Sequence, residues 1–226
     1  MDFRCRGFRM YNGGINMIRG LYTATTGMMV QRSKMDVLTN NIVNAETVGY
    51  KTDNLMTSAF DAEMLKRVND PNLSVVGTNV GKYSFGTHVD EMVTDFSQGA
   101  IEDTGRNTDL ALVGDGFFAV ETPEGESYTR AGNFTVDDQG YLVTSNGNYV
   151  LGNNGRIYAG GDDFTVSDTG MVAGGHAVAD QLRLVTFQDT GNLRKQGNNL
   201  YTTYGNEQPV AAEHCSVRQG AQESSN

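Results

Sequence analysis

Apolar residues recur at helical spacing near the start of the chain. A helix with apolar a and d positions typically packs against another helix, and an isolated helix of this kind is marginal in water. We therefore predict a coiled-coil-type helix over residues 17–49 whose stripe is an assembly interface; the alternative is a core helix of an ordinary domain. The stripe has two sets of members: Leu21, Met28, Met35 and Ile42 at intervals of seven residues, and Ala24, Gln31, Leu38 and Ala45 three residues after each.

The hydrophobic pattern changes period in the second half of the chain. Short apolar or alternating runs, separated by turn signals such as Asp137 to Gly140 and Asn146-Gly147, predict an all-β domain of short antiparallel strands over residues 95–210. The fold class is therefore α+β, mainly β. The predicted strands are 110–113, 117–121, 134–136, 141–144, 149–151, 156–158, 164–166, 171–173 and 182–187.

Three further segments lack a clear pattern. Residues 50–94 contain Pro71, Gly77, Gly81 and Gly86, which favour an extended linker. Residues 1–16 are irregular, and we predict that they are a non-native or disordered extension and that Met17 is the true start. Residues 211–226 are predicted to be an irregular tail.

Composition excludes several classes of partner. The net charge is −10, and the 17 lysines and arginines are scattered, so we expect no nucleic-acid partner and no anionic membrane surface. The 28 glycines agree with many tight turns between short strands. We find no apolar run of membrane-spanning length and no secretory signal peptide.

Candidate chemistry is sparse. The segment Gly114-Asp115-Gly116 is best interpreted as a turn, and Asp162, Asp163 and Asp168 as turn carboxylates rather than calcium ligands. The three histidines lack the spacing of a zinc site. We predict no catalytic site, metal, cofactor or small-molecule substrate. Two alternatives stay open: a secreted β-rich adhesin or calcium-binding module, and a cell-wall hydrolase.

Two blocks of residues resemble a known family. The first block runs from Leu21 to Lys51, and the second from Asp95 to Phe134. Both are similar to the bacterial flagellar basal-body rod proteins, distal and proximal, which are related to the hook protein. The first block carries Asn40, Asn41, Asn44, Gly49 and Tyr50; the second carries Gly105, Arg106, Gly116, Phe117, Phe118, Tyr128, Thr129, Arg130, Gly132 and Phe134.

The resemblance implies a structural subunit without catalysis or cofactor. Its partners would be copies of itself, other rod and hook subunits, and the flagellar type III export apparatus. It would stack helically in the basal body, outside the cytoplasm, into a shaft that transmits torque from motor to hook, with the distal rod favoured over the proximal. Family members pair the N-terminal helix with a C-terminal one. Gln219, Gly220 and Glu223 resemble the residues that lead into it, so we expect that this helix is missing here.

Overall fold

The computed structural model describes residues 13–67, 78–174, 180–204, 208–212 and 215–226, with the backbone alone for 13–19, 66–67 and 78–80. These residues form two compact units. Unit 1 contains residues 13–39, 54–67 and 78–93. Unit 2 contains Asn40–Asp53 and the described residues from Thr94 to Asn226.

One α-helix and many short strands make up the described chain. The helix α1 spans Gly13–Val43, and a short 3-10 helix spans Thr190–Asn192. The strands are β1 Asp53–Ala59, β2 Glu63–Arg67, β3 Thr78–Tyr83, β4 Thr87–Thr94, β5 Ile101–Asp103, β6 Leu110–Val113, β7 Phe117–Thr122, β8 Gly125–Thr129, β9 Phe134–Val136, β10 Leu142–Thr144, β11 Tyr149–Gly152, β12 Gly155–Arg156, β13 Thr165–Val166, β14 Met171–Ala173, β15 Asp180–Gln181, β16 Leu184–Thr186, β17 Leu193–Gly197, β18 Leu200–Thr203, β19 Val210–Ala211, β20 Ser216–Gln219 and β21 Ala221–Glu223.

Asparagine side chains end α1. The Asn44 side chain donates to the backbone oxygen of Asn40 at 2.8 Å and to its Oδ1 at 3.0 Å. The backbone N–H of Ala45 then bonds to Ile42 O, a tighter i to i−3 contact than the helical one. Asparagine competes with the helical ladder in this way because its amide can bond to nearby backbone groups. Residues 44–49 therefore form turns rather than the end of the helix.

Unit 1 packs part of α1 against a β segment. Strand β1 pairs with β4, and β2 pairs with β3. The Thr23 hydroxyl lies 3.4 Å from Tyr83 OH and 3.4 Å from the Phe85 carbonyl oxygen. Gly86 lies directly against the Thr26 hydroxyl, where a Cβ atom would clash. The contact between α1 and this loop is thus polar and close.

The main sheet of unit 2 is buried on both faces. It contains ten strands in the order β17-β18-β8-β7-β11-β10-β9, with β12 on β11, β16 on β7 and β19 on β16. Because successive residues of a strand point to opposite faces, Phe118 and Val120 of β7 enter one hydrophobic cluster, and Phe117 and Ala119 enter another. The first cluster also takes residues from the small sheet β13-β14-β15 and from β20.

The predicted fold class is confirmed: one N-terminal helix precedes a domain of short antiparallel strands. Several boundaries need correction. The helix ends at Val43 and not at residue 49, and Gly13 to Asn16 are helical rather than irregular, while residues 1–12 lie outside the described part.

Two segments predicted without regular structure contain strands. Residues 50–94 hold β1 to β4, which pair with one another, and the predicted tail holds β19 in part, β20 and β21. Strand β20 pairs with β6, and β21 pairs with β5. Both partners of these tail strands lie more than a hundred positions earlier in the chain, so local sequence pattern carried no sign of the pairing.

Candidate functional site

The predicted assembly stripe lies on the exposed side of α1. All eight of its residues are exposed, although Ala45 falls in the turn after the helix. Exposing the apolar members of this stripe to water is unfavourable, since each large side chain would gain about 1–2 kcal/mol if it were covered. The exposed fractions of the large side chains are 66% for Leu21, 64% for Met28, 62% for Met35, 54% for Leu38 and 74% for Ile42.

The opposite side of α1 is the one that the chain itself covers. Val30 is buried, and Thr26, Ser33 and Val37 are half-buried. Their spacing of three and four residues places them on one face, about half a turn away from Met28 and the rest of the stripe. The helix therefore uses its less apolar face within the chain and leaves the stripe uncovered.

Two asparagines in the last turn of α1 attach the end of the helix to the following segment. Asn41 donates its amide to Asp53 O at 2.9 Å, and its Oδ1 accepts the Asp53 N–H at 3.2 Å. The Tyr50 hydroxyl donates to Asn41 Oδ1 at 3.1 Å and accepts from the Asn40 amide at 3.3 Å. These amides act as a paired donor and acceptor. They fix the turn between the helix and β1.

Gly49 sits where no side chain fits. Its φ is +65°, and its N–H donates to Glu223 O at 2.8 Å. A Cβ atom at Gly49 would lie 2.5 Å from Ala131 N and 2.6 Å from the carbonyl carbon of Arg130. The chain can pass Arg130 and Ala131 this closely only with glycine in the left-handed conformation.

A buried ionic cluster follows directly after this glycine. Lys51 Nζ lies 2.7 Å from Glu223 Oε1, and Arg130 Nε lies 2.6 Å from Glu223 Oε2. The three side chains are 1%, 4% and 1% exposed for Lys51, Arg130 and Glu223. Glu223 Oε1 also accepts the Gly99 N–H at 2.8 Å. One carboxylate thus pairs with two cations that come from distant parts of the sequence.

Both cations also donate to backbone oxygens. The Arg130 guanidinium donates to Gly116 O at 2.5 Å and to Gly114 O at 2.7 Å. Lys51 Nζ donates to Ser97 O at 2.6 Å. The glycine turn around Asp115 therefore has a structural role, because it presents two carbonyl oxygens to a buried arginine, whose planar fork suits such a set.

A second ion pair borders the cluster. Lys195 Nζ lies 2.9 Å from Asp53 Oδ2 and donates to Lys51 O at 2.6 Å. It also lies 4.4 Å from the centre of the Tyr50 ring. The other oxygen of Asp53 accepts the Thr94 hydroxyl at 2.6 Å. This pair holds β17 against residues 51–53.

The cluster favours the ionised form of its carboxylate. Burial raises the pKa of Glu223, but bonds and charges from Lys51, Arg130 and the Gly99 N–H outweigh burial, and the pKa lies below its ordinary value of 4.5. Burial lowers the pKa of Lys51, although Glu223 acts in the opposite direction. Because Glu223 accepts three charge-assisted or backbone bonds, we regard its ionised state as the one on which the cluster depends.

The other predicted motif residues belong to the core or to turns of unit 2. Thr129 donates its hydroxyl to Asn199 O at 2.9 Å. A Cβ atom at Gly132 would clash with Leu110 O. Gly105 has a φ of +72° and donates its N–H to Gly220 O, and Arg106 is exposed. The aromatic residues fill the two hydrophobic clusters: Phe118 and Phe134 the first, Phe117 and Tyr128 the second.

Sequence reasoning missed the centre of this arrangement. Lys51 and Glu223 both lie within stretches that carried the family resemblance, yet the sequence did not predict that they form an ion pair. It also did not single out Asp53 or Lys195. The only signal was a charged residue two or three positions after a glycine, at Lys51 and at Glu223.

Among the described residues, no cluster of three or more His, Cys, Asp or Glu side chains could hold a metal ion. No described helical segment is apolar enough to cross a bilayer.

Comparison with known proteins gives two matched ranges. Residues 21–51 match the family described as flagella basal body rod protein, and residues 111–174 match the flagellar hook protein FlgE/F/G D1 domain. The first range holds the exposed stripe and Lys51, and the second holds Arg130. Glu223 lies outside both.

Individual relatives agree with these families. The flagellar basal-body rod protein FlgG of Bacillus subtilis is 34% identical over 193 residues, which cover 82% of this chain and 73% of the relative. The flagellar basal-body rod protein FlgF of Caulobacter vibrioides is 34% identical over 213 residues, which cover 93% of this chain and 83% of the relative. The flagellar hook protein FlgE of Treponema pallidum is 36% identical over 137 residues, covering 60% of this chain and 30% of that protein.

Proposed function

This chain belongs to the flagellar basal-body rod protein family, and on that premise we propose that it polymerises helically into the axial drive shaft between motor and hook. The family is one of structural subunits, so the chain is a rod component of the basal body and not an enzyme. The cell-wall hydrolase and the adhesin or calcium-binding module are therefore not retained. The proposal concerns how the subunit assembles, where in the rod it lies and how it reaches that place.

The observation that carries the proposal is the exposed apolar stripe of α1. Five large side chains from Leu21 to Ile42 are each more than half exposed on one helix face. Such a face is stable in water only when another apolar surface covers it. We assign it as the contact with neighbouring subunits: copies of this chain and other rod and hook subunits. A head-to-tail contact of this kind repeats without closing and so builds a helical shaft.

The position in the rod is a narrower proposal. We place the chain in the distal rod, next to the hook. In support, both rod and hook proteins are among its relatives, and residues 111–174 match a domain that the hook protein shares. A subunit beside the hook benefits from surfaces that resemble those of hook subunits. We further propose that the type III export apparatus delivers the chain to this place, outside the cytoplasm.

The assembly stripe can be tested by one matched pair of substitutions. Met35→Asp places a charge in the stripe, whereas Met29→Asp makes the same change at an equally exposed residue outside it. Both changes carry the same loss of helix propensity. We expect Met35→Asp to abolish incorporation into purified hook-basal bodies, measured by quantitative mass spectrometry of peptides from residues 95–204, and Met29→Asp to incorporate. Normal incorporation of Met35→Asp would contradict the proposal.

The distal position needs its own measurement. A photo-crosslinking amino acid at an exposed site of unit 2, such as Arg106, should capture hook subunits in intact basal bodies if the chain lies beside the hook. Crosslinks to export-apparatus or motor proteins, with none to hook subunits, would place it in the proximal rod. The result on the stripe is independent of this outcome.

A further inference from the structure

The last described residues complete the fold of unit 2. Strand β20 pairs along its length with β6, and Val217 enters the same hydrophobic cluster as Leu112. Strand β21 pairs with β5, and Ala221 is fully buried. We call residues 216–226 the closing segment. Without it, β5 and β6 would each lose the partner strand described for them, and part of the main core would be open to water.

Side chains of the closing segment satisfy backbone groups in earlier parts of the chain. Gln219 accepts the Val166 N–H at 2.9 Å and donates to Phe164 O at 2.9 Å. Asn226 accepts the Thr52 N–H at 2.9 Å and donates to Asp95 O at 2.8 Å. Polar groups left unpaired in such places are unfavourable. These two residues therefore fix segments that come from the start and from the middle of unit 2.

The charge of Glu223 is a further reason why unit 2 needs the closing segment in order to fold. Lys51 and Arg130 are almost completely buried, and the acidic group that contacts both is Glu223. Without Glu223, a folded unit 2 would hold two positive charges that no carboxylate of the described residues contacts closely, which is strongly unfavourable. Glu223 balances one of these charges and bonds to both groups, so the closing segment lowers this obstacle to folding.

We propose that the closing segment gates the folding of unit 2, so that the described residues of unit 2 that precede residue 216 stay unfolded until residues 216–226 join them. A chain that emerges with its N-terminus first therefore folds unit 2 only after its last strands are available. If the proposed delivery through an export channel holds, this keeps the subunit unfolded in transit. The gate itself does not depend on that delivery.

The gate can be tested on a chain that ends at Cys215, with the full chain as reference. We expect the shortened chain to lack a cooperative thermal transition by circular dichroism and to lack dispersed amide resonances. A synthetic peptide of residues 216–226 should restore both. The same peptide with Glu223→Gln should fail at equal concentration. A shortened chain that unfolds cooperatively at the midpoint of the full chain would overturn the proposal.

A second experiment in the full chain isolates the charge. Glu223→Gln should lower the folded-to-unfolded ratio by at least about a hundredfold. The control Glu102→Gln removes the same charge from an exposed residue of the neighbouring strand β5 and should leave the ratio nearly unchanged. Adding Lys51→Met to Glu223→Gln should recover part of the loss, because one uncompensated cation is removed. A further loss in the double variant would overturn the role of charge.

These measurements use purified protein in dilute solution. They read folding alone, so they stand whether or not the subunit incorporates into a rod. Failure of the Met35→Asp experiment and failure of the gate are therefore distinguishable.

Discussion

Lys51 and Glu223 lie 172 positions apart in the sequence, yet Lys51 Nζ and Glu223 Oε1 are 2.7 Å apart in the interior of unit 2. The pair joins the segment that leaves α1 to the last strand of unit 2. A buried ion pair contributes little net stability, because removing both charges from water offsets most of their attraction. We expect its effect to be specificity, because the observed register of β21 on β5 brings Glu223 to both cations.

Acid should loosen unit 2 through Glu223. The folded-state pKa of this carboxyl lies below its ordinary value of 4.5. A lowered pKa contributes stability that is present above pH 4.5 and is lost as the pH falls through the folded-state value. We expect the thermal midpoint of the full chain to decrease as the pH is lowered below 4.5. In the Glu223→Gln variant the midpoint should change less with pH in this range. Parallel profiles for the two proteins would assign acid sensitivity to other carboxyls.

Gly49→Ala should destabilise unit 2 by about 3 kcal/mol or more, because it combines a positive φ with a direct clash against the backbone at Arg130 and Ala131. The matched control is Gly105→Ala, where φ is also positive but open space surrounds the new methyl group. That change should cost about 1 kcal/mol from backbone strain alone. Denaturant unfolding would measure both. Equal losses would show that conformation, and not space, makes glycine necessary at residue 49.

Arg130→Lys should behave as a disruptive change although it keeps the charge. A lysine cannot reach Glu223, Gly114 O and Gly116 O at once, so it would leave buried carbonyl oxygens unpaired. We expect a loss of about 2–4 kcal/mol in unfolding free energy. Arg156→Lys is the control, since Arg156 pairs with Glu121 at the exposed surface, and it should change stability little. The same denaturant titration compares them.

Tyr201→Phe should be neutral or stabilising. The Tyr201 hydroxyl is buried and has no hydrogen-bond partner among the described residues, so its removal relieves an unpaired polar atom. Tyr128→Phe is the comparison, because the hydroxyl of Tyr128 bonds to Glu126, and its loss should cost about 1 kcal/mol. Thermal unfolding at neutral pH gives both values. A loss at Tyr201 as large as that at Tyr128 would mean that its hydroxyl has a partner in solution.

Alkali should act on the same two tyrosines. Burial raises the pKa of Tyr128 to about 12, and burial raises the pKa of Tyr201 further. A raised pKa contributes stability that is present below the ordinary value of 10.0 and is lost as the pH rises above it. We expect the thermal midpoint to decline above pH 10, and Tyr201→Phe to decline less. An unchanged decline in this variant would exclude Tyr201 as a cause.

Much of the fold could be predicted from local pattern. The helix followed from its seven-residue repeat, and β6, β9 and β14 lie at the predicted positions because short apolar runs between turn residues are a local signal. Among the strands that were missed, β5, β20 and β21 have three or four residues each, and they form because a distant partner supplies their hydrogen bonds.

The candidate site also has one part that local sequence pattern predicts and one part that it does not. The exposed stripe was predictable, since an apolar repeat without a second repeat to cover it is visible in the sequence, and its role in assembly stays a prediction. The ionic cluster was not predictable, because Lys51, Arg130 and Glu223 are charged residues of the kind that local pattern assigns to the surface. Only the folded structure shows that Lys51 and Arg130 both contact Glu223 in the interior.

The contact between Lys51 and Glu223 also offers a direct route for mechanical force between two segments of unit 2. Tension or torsion that reaches the backbone at Tyr50 or at Ser224 can cross directly between the two segments through the ion pair and the bond from Gly49 N–H to Glu223 O. From there it reaches the ten-stranded sheet at two strands, because Arg130 follows β8 and contacts Glu223, and Lys195 of β17 donates to Lys51 O. A force on either segment is therefore shared between two strands of the sheet instead of acting on one.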